Sequence, residues 1–250
     1  GFLLAVSDIK LLLFIDICTF FLTAICTAVV RAGLEPKAPE KKTTFSESFK
    51  EAWSAVTGKR GLVILIVVSS LVTCFMGAIQ ILSGPMILDF ADSAVLGIAE
   101  TVCASGMLVS SLIIGIRGLK KDFARTLSFS LILAGLAMVG FGLKENIYLI
   151  CCFGFIFFFM LPFANNCMDY LFRTNIDADK QGTAWGLIGF LTQIGYVAAY
   201  GSAGFLADML ATLRQIGVGR GAAEMITISG MLLASVALVL YRLKDVRDLE

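Results

Sequence analysis

The sequence predicts an all-α integral membrane protein with seven transmembrane helices. Of its 250 residues, 58% are hydrophobic and 16% are charged, whereas soluble domains carry about 25% charged residues. The mean hydropathy of the chain is +0.89. A transmembrane helix needs about 20 predominantly apolar residues. Seven segments meet this requirement: 10–31, 61–88, 94–116, 126–143, 147–172, 181–207 and 221–241.

The residues on which most soluble enzymes depend are absent or unsuitably placed. The chain has no His, which excludes Ser-His-Asp triads and HExxH metal sites. Its seven Cys lie in apolar runs without CxxC spacing, as expected for buried apolar residues rather than for a disulfide framework or a metal site. The net charge of +1 gives no basis for binding nucleic acid. We therefore expect no enzyme activity, no cofactor and no metal, and a lipid bilayer as the surrounding medium.

The long polar connection after the first span divides the chain into three parts. One span precedes it and six follow it, as expected where two six-helix halves are joined by a connector. Residues 1–31 are predicted to hold the last span of an N-terminal half, residues 32–60 the connector, and residues 61–250 a complete C-terminal half. Because the chain begins with Gly1 rather than Met, we expect the rest of the N-terminal half to exist in the same protein and to be its partner.

The distribution of Lys and Arg predicts the orientation in the membrane. With the connector on the cytoplasmic side, that side carries 16 Lys and Arg residues and the other side carries 4. Cytoplasmic loops of membrane proteins are enriched in these residues. The sequence therefore predicts a multi-pass protein of the cell membrane whose connector and C-terminus are cytoplasmic.

The connector contains an extended linker at residues 35–42 and a helix at residues 44–56. Thr44 and Glu47 have the spacing of a capping box at the start of that helix. One face of the helix is apolar and carries Phe45, Phe49, Ala52, Trp53 and Val56. This pattern predicts a helix that lies along the inner membrane surface. The alternative is an ordinary solvent-exposed connector.

The span at residues 181–207 carries two distinct stripes. Small residues recur every four positions and would form a packing surface, since small side chains let helices approach closely in lipid; they are Gly195, Ala199, Ala203 and Ala207. Gly182 and Gly186 add a GxxxG pair. The second stripe holds polar and aromatic residues, which predict a face turned towards protein or a water-filled cavity: Trp185, Thr192, Gln193, Tyr196 and Tyr200.

Two carboxylic acids lie inside predicted spans. Asp16 is in the first span and Glu100 is in the third. Ionisable groups inside a bilayer are costly, so they are candidates for a functional role. A low-dielectric environment favours the protonated acid, so either group could bind and release a proton, or bind a cationic substrate. The alternatives are a hydrogen bond between helices or a pair with a basic residue elsewhere in the protein.

Amide side chains supply the remaining polar groups inside the spans. They are Gln80, Asn165, Asn166 and Gln193. The two Asn follow Pro162, which removes a backbone hydrogen bond from its helix and favours a bend. A bend lined by amides would suit a cavity, but amides also join helices in membranes, and both interpretations stay open.

Charged residues cluster in two turns at the predicted cytoplasmic face. Arg117 and Arg125 belong to one turn, and Asp169 and Arg173 lie beside the other. Such charges could latch two helix bundles together in one state and release them in another. The alternatives are topological anchoring of the spans and, for Asp169 with Arg173, an ion pair within one helix.

Several segments together resemble the Major Facilitator Superfamily, in particular the drug-exporter branch that includes macrolide-efflux proteins. RTNIDADKQGTAWGLIGFLTQIGYVAAYGSAGFLAD, residues 173–208, is similar to the segment that joins spans ten and eleven there. GFLLAVSDIKLLLFIDICTFFLTA, which includes Asp16, resembles the end of span five and span six, and GIAETVCASGMLVSSLIIG, which includes Glu100, resembles span eight. Thr183 departs from the family, since a basic residue is common there, and this weakens the latch hypothesis.

The resemblance implies that the seven helices are spans 6–12 of a twelve-helix fold. It further implies a secondary active transporter that exports small amphipathic molecules or drugs by alternating access, driven by the proton gradient. Within that scheme we expect Glu100 and Gln193 to line the substrate cavity, with Tyr196, Asn165 and Asn166 next, and Asp16 to be a protonatable group. An importer on the same fold, or a membrane scaffold that transports nothing, remains an alternative.

Overall fold

The computed structural model describes residues 9–32, 44–119 and 121–250. Within these ranges all regular secondary structure is helical. The helices are α1 (Ile9–Ala32), α2 (Phe45–Thr57), α3 (Arg60–Leu88), α4 (Ser93–Arg117), α5 (Phe123–Gly142), α6 (Ile147–Asn175), α7 (Gln181–Arg214), α8 (Val218–Arg242) and α9 (Lys244–Arg247).

Seven of these helices, α1 and α3 to α8, are long and apolar enough to cross a membrane, which confirms the predicted all-α, seven-span architecture. The largest difference in length concerns α7. It has 34 residues and so measures about 51 Å at 1.5 Å per residue, well beyond a hydrocarbon core of about 30 Å. At its C-terminal end, Arg214 forms an ion pair with Glu224 of α8, 3.0 Å long. The sequence pattern missed this extension because it contains Asp208 and Arg214 and is amphipathic.

Helices α3 to α8 pack into one bundle. α5 lies between α6 and α8, α3 packs against α7 and α8, and α4 packs mainly against α6. The largest side chains in the centre are fully buried and almost all apolar, among them Leu65, Leu131, Met138, Phe157 and Ile226. In α1, by contrast, every described side chain is exposed. The bundle thus provides a packed frame, whereas α1 buries none of its described side chains.

Loops and short elements collect at two opposite ends of the bundle. One end, called the basic end below, holds α2, the α4–α5 and α6–α7 loops, and residues 243–250. The other end holds the α3–α4, α5–α6 and α7–α8 loops, where Arg220 donates a hydrogen bond to the Leu143 carbonyl (3.1 Å). Successive loops therefore lie at alternate ends of the bundle, as the predicted orientation assumes. Which end is cytoplasmic stays a prediction.

Residues 243–250 form a clasp that joins three helices at the basic end. Val246 and Leu249 are buried against the bundle. The Asn175 amide at the end of α6 donates to the Leu249 carbonyl (2.7 Å) and accepts from the Lys59 ammonium (2.8 Å). The Glu250 carboxylate accepts from the Ala124 N–H (2.6 Å) in the first turn of α5, where the helix dipole favours a negative charge.

Replacement of Asn175 by Leu should loosen this clasp. The substitution removes both of the contacts to Lys59 and Leu249, so we expect a loss of about 1–2 kcal/mol in the free energy of unfolding. Limited proteolysis should cut residues 243–250 faster in this variant. Thr183→Ala is the control, because among the described residues the Thr183 hydroxyl donates only to the Lys180 carbonyl in its own turn (3.1 Å). Equal cleavage rates in the two variants would contradict the proposed role of Asn175.

The connector helix α2 begins as the sequence predicts and packs differently from the prediction. The Thr44 N–H donates to the Glu47 carboxylate (2.9 Å), one of the bonds of a capping box. α2 packs against the adjoining parts of α7 and α3. Ala52 and Val56, which the sequence placed on a membrane-facing surface, are buried against the bundle. The apolar face of α2 is therefore shared between protein and the exterior.

Candidate functional site: a cavity beside Glu100

A cavity of about 240 Å³ lies between α3, α4, α5 and α6. Most of its wall is apolar, including Ile79, Phe141, Ile150 and Phe158. Its polar groups are contributed by Gln80 and Ser83 of α3 and by Glu100 and Cys103 of α4. A mainly apolar cavity with a few convergent polar groups is the usual form of a small-molecule site.

Glu100 occupies the outer edge of this cavity. It is the eighth residue of α4, about 10 Å along the helix from its start, and so lies within the span. Its side chain both lines the cavity and is exposed on the surface of the bundle. In the described part of the chain, no ion pair or hydrogen bond reaches it. A carboxylate at this depth is costly in contact with lipid, so this face must be met by water, by ligand or by further protein.

A second polar group adjoins the cavity through α7. The Tyr200 hydroxyl donates to the Gln80 side-chain oxygen (2.9 Å). The Tyr200 ring packs against the Tyr196 ring, with centroids 5.7 Å apart. Both rings also border Gly77 of α3. The predicted site residues Glu100 and Tyr196 are thus linked in space through Gln80 and Tyr200.

The other predicted site residues are not brought to this cavity. Asp16 lies on α1, whose described side chains are all exposed. Gln193 is exposed on α7, about one turn from Tyr196. Asn165 and Asn166 are exposed on α6, about two turns beyond the cavity-lining Phe158, and the Asn166 amide donates to the Pro162 carbonyl of its own helix (2.8 Å). Their roles as pathway residues stay predictions.

Sequence reasoning overlooked Ser83 and Cys103. Ser83 follows Gln80 by three residues, and Cys103 follows Glu100 by three residues, so each shares a helix face with a residue that the sequence did single out. The three-residue spacing could therefore have identified Ser83 and Cys103 as neighbours of the predicted polar residues. Phe141 was harder to find, because it comes from a helix with no polar group near the cavity.

The two faces of α7 differ sharply in their surroundings. The predicted small-residue stripe, Gly195, Ala199, Ala203 and Ala207, is buried. The space beside Gly182 and Gly186 is open, as it also is beside Gly189 and Gly204, so among the described residues no neighbour packs closely onto the side of α7 where the GxxxG pair lacks a Cβ. α4 and α7 are the least buried of the six bundled helices. α7 therefore has one packed small-residue face and one that is open.

The predicted latch residues lie apart from the cavity, at the basic end. Arg125 pairs with Asp122 in its own turn at 3.9 Å, and Arg117 is exposed. The expected ion pair between Asp169 and Arg173 does not form within 4 Å, although both residues are described. The pairing in this region is Lys180 with Asp177 (3.1 Å), and this hydrogen bond raises the pKa of the Lys180 ammonium.

Comparison with known proteins agrees with this architecture. The chain is 22% identical over 255 aligned residues to macrolide efflux protein A of Streptococcus pyogenes, and equally to that of Streptococcus pyogenes serotype M6. The alignment covers 99% of this chain and 60% of each relative, so the chain spans little more than half the length of the curated relatives it matches. No solved structure matches the chain significantly. The family model of the Major Facilitator Superfamily matches residues 1–200. The chain, a multi-pass membrane protein with seven spans, belongs to the Major Facilitator Superfamily.

Proposed function

We propose that this chain forms the substrate-binding and proton-coupling part of a secondary active exporter of small amphipathic molecules or drugs. The observation that carries the proposal is the position of Glu100, an exposed carboxylate inside a span at the edge of a mainly apolar cavity. Apolar walls suit an amphipathic substrate, and acidic side chains inside spans are the groups from which transporters build proton relays. Similarity to macrolide efflux proteins supports export as the direction.

Alternating access requires a second half against which the bundle can move. The open faces of α4 and α7 supply the surface for it, since they carry Glu100, Gln193 and the unpacked glycines of α7. We propose that further helices of the same transporter pack there and close the cavity. In this arrangement the basic end is cytoplasmic, in accord with its excess of Lys and Arg.

The decisive experiment is Glu100→Gln in the transporter that contains this chain. Gln keeps the size of the side chain and cannot release a proton. We expect efflux of a radiolabelled macrolide from energised cells to be abolished, with normal expression. Exchange of labelled for unlabelled macrolide in vesicles without a pH gradient should continue, because it needs substrate binding and no net proton movement.

Glu145→Gln is the matched control, since Glu145 is an exposed acid in the α5–α6 loop, outside the cavity. It should leave both assays unchanged. Loss of exchange together with efflux in Glu100→Gln would assign Glu100 to substrate binding rather than to coupling. Unchanged efflux in that variant would remove Glu100 from the mechanism.

A further inference from the structure

The connector helix α2 presents an aromatic pair on its outer side. The rings of Phe49 and Trp53 stack with centroids 6.2 Å apart and an interplanar angle of 21°. They are 47% and 48% exposed, although Ala52 and Val56 on the adjoining face are 2% exposed. About half of the surface of the two aromatic side chains is therefore exposed, although Ala52 and Val56 of the same helix are buried.

The charged side of α2 faces in another direction. Glu47, Glu51 and Ser54 line a polar groove of about 630 Å³ that α2 shares with the α6–α7 loop, whose Asp177 and Lys180 form the far wall. At 3.6 residues per turn these three residues lie on the side of α2 roughly opposite to Phe49 and Trp53. The aromatic pair thus points away from the loop at the end of the bundle.

The height of α2 relative to the membrane follows from its contacts. It packs against α7 and α3, both of which are long and apolar enough to span a membrane, and it shares a groove with Lys59 before the start of α3 and with Lys180 before the start of α7. α2 therefore lies where the apolar segment of the bundle ends. Tryptophan is among the aromatic residues that are enriched at this boundary, and Trp53 is half exposed beside Phe49.

We propose that α2 docks Phe49 and Trp53 into the boundary between headgroups and acyl chains of a phospholipid bilayer. Lys50 lies between the aromatic side and the polar groove of α2, where its ammonium can reach a lipid phosphate while its stem covers apolar surface. The contacts of Ala52 and Val56 fix the helix to the bundle, so the docked pair anchors the connector to both protein and lipid.

Tryptophan fluorescence tests this proposal directly in the whole transporter, with any Trp outside these 250 residues replaced by Phe, because the 250 residues contain two Trp, Trp53 and Trp185. Trp185→Phe leaves Trp53 as the one reporter. The purified protein is reconstituted into vesicles of phosphatidylcholine and phosphatidylglycerol that carry a quencher either near the headgroup or at the end of an acyl chain. Aqueous iodide probes solvent exposure in parallel.

We expect a quencher near the headgroup to quench Trp53 fluorescence at least about twofold more strongly than a quencher at the end of an acyl chain. This is the result expected for a side chain inserted about 5–10 Å into the boundary between headgroups and acyl chains. Iodide should quench it weakly. Trp53→Phe is the matched control, since it leaves Trp185, which is partly buried and packs edge-on against Phe172 with centroids 6.0 Å apart. Strong iodide quenching of Trp53 with no lipid quenching would overturn the proposal in favour of a solvated connector. Quenching of Trp53 by neither reagent would overturn it in favour of cover by other protein segments.

Discussion

Replacement of Gly195 by Ala is expected to destabilise the bundle by about 2–3 kcal/mol. A methyl group built at Gly195 would overlap the Ser70 carbonyl and the Thr73 hydroxyl of α3, and it would stand 2.8 Å from the Cys74 backbone nitrogen. Two of these three groups belong to backbone, which cannot rotate away. α3 and α7 would have to separate, and the hydrogen bond from Thr73 to the Thr192 carbonyl (2.6 Å) would be lost with them.

Gly201→Ala is the control on the same helix. Among the described residues, apart from the backbone of its own helix and its chain neighbours, no atom lies within 4 Å of a methyl group at Gly201, and Ala is favoured over Gly in a helix by about 1 kcal/mol. The two substitutions should therefore change stability in opposite directions. Unfolding by titration with sodium dodecyl sulfate, or the thermal midpoint in detergent, measures both. A neutral or stabilising effect of Gly195→Ala would show that the close approach of α3 and α7 does not contribute to stability.

This contrast shows what sequence could and could not provide for α7. A four-residue repeat of small side chains identified Gly195, Ala199 and Ala203 as a packing surface, because only one face of a helix contains positions so spaced. The same kind of pattern at Gly182 and Gly186 marks an open face. Spacing reports that a close approach is permitted, whereas the neighbouring helix decides whether it occurs.

The candidate site, like α7, could be predicted only in part from the sequence. Glu100 could be found from sequence, because a carboxylate inside an apolar span stands out against its surroundings. Its association with Gln80 and Tyr200 could not, since these residues come from helices separated in sequence by at least 20 positions and meet only when α3, α4 and α7 pack. Asp16 satisfied the same sequence criterion as Glu100, yet it lies on a helix whose described side chains are all exposed.

The second large effect is expected where α5 crosses α8. Gly135 and Gly230 face each other at this crossing. A methyl group at Gly135 would lie 2.6 Å from the Ala234 nitrogen, and one at Gly230 would lie 2.7 Å from both the Gly135 oxygen and the Val139 nitrogen. All three are backbone atoms. We expect each of Gly135→Ala and Gly230→Ala to lower the free energy of unfolding by about 2–3 kcal/mol.

The two substitutions should also be strongly non-additive. Once one methyl group has pushed α5 and α8 apart, the second methyl group meets a gap that already exists. The loss in the free energy of unfolding of the double variant should therefore be smaller than the sum of the two single losses, by about 1 kcal/mol or more. Gly135→Ala combined with Gly195→Ala provides the reference pair, because the two positions lie at different helix crossings and share no neighbour among the described residues, so their effects should add. Additive losses for Gly135 and Gly230 would mean that each glycine is required for a separate reason. Coupled losses would show that one shared backbone contact holds α5 to α8, in accord with the dependence of helix association in lipid on close packing.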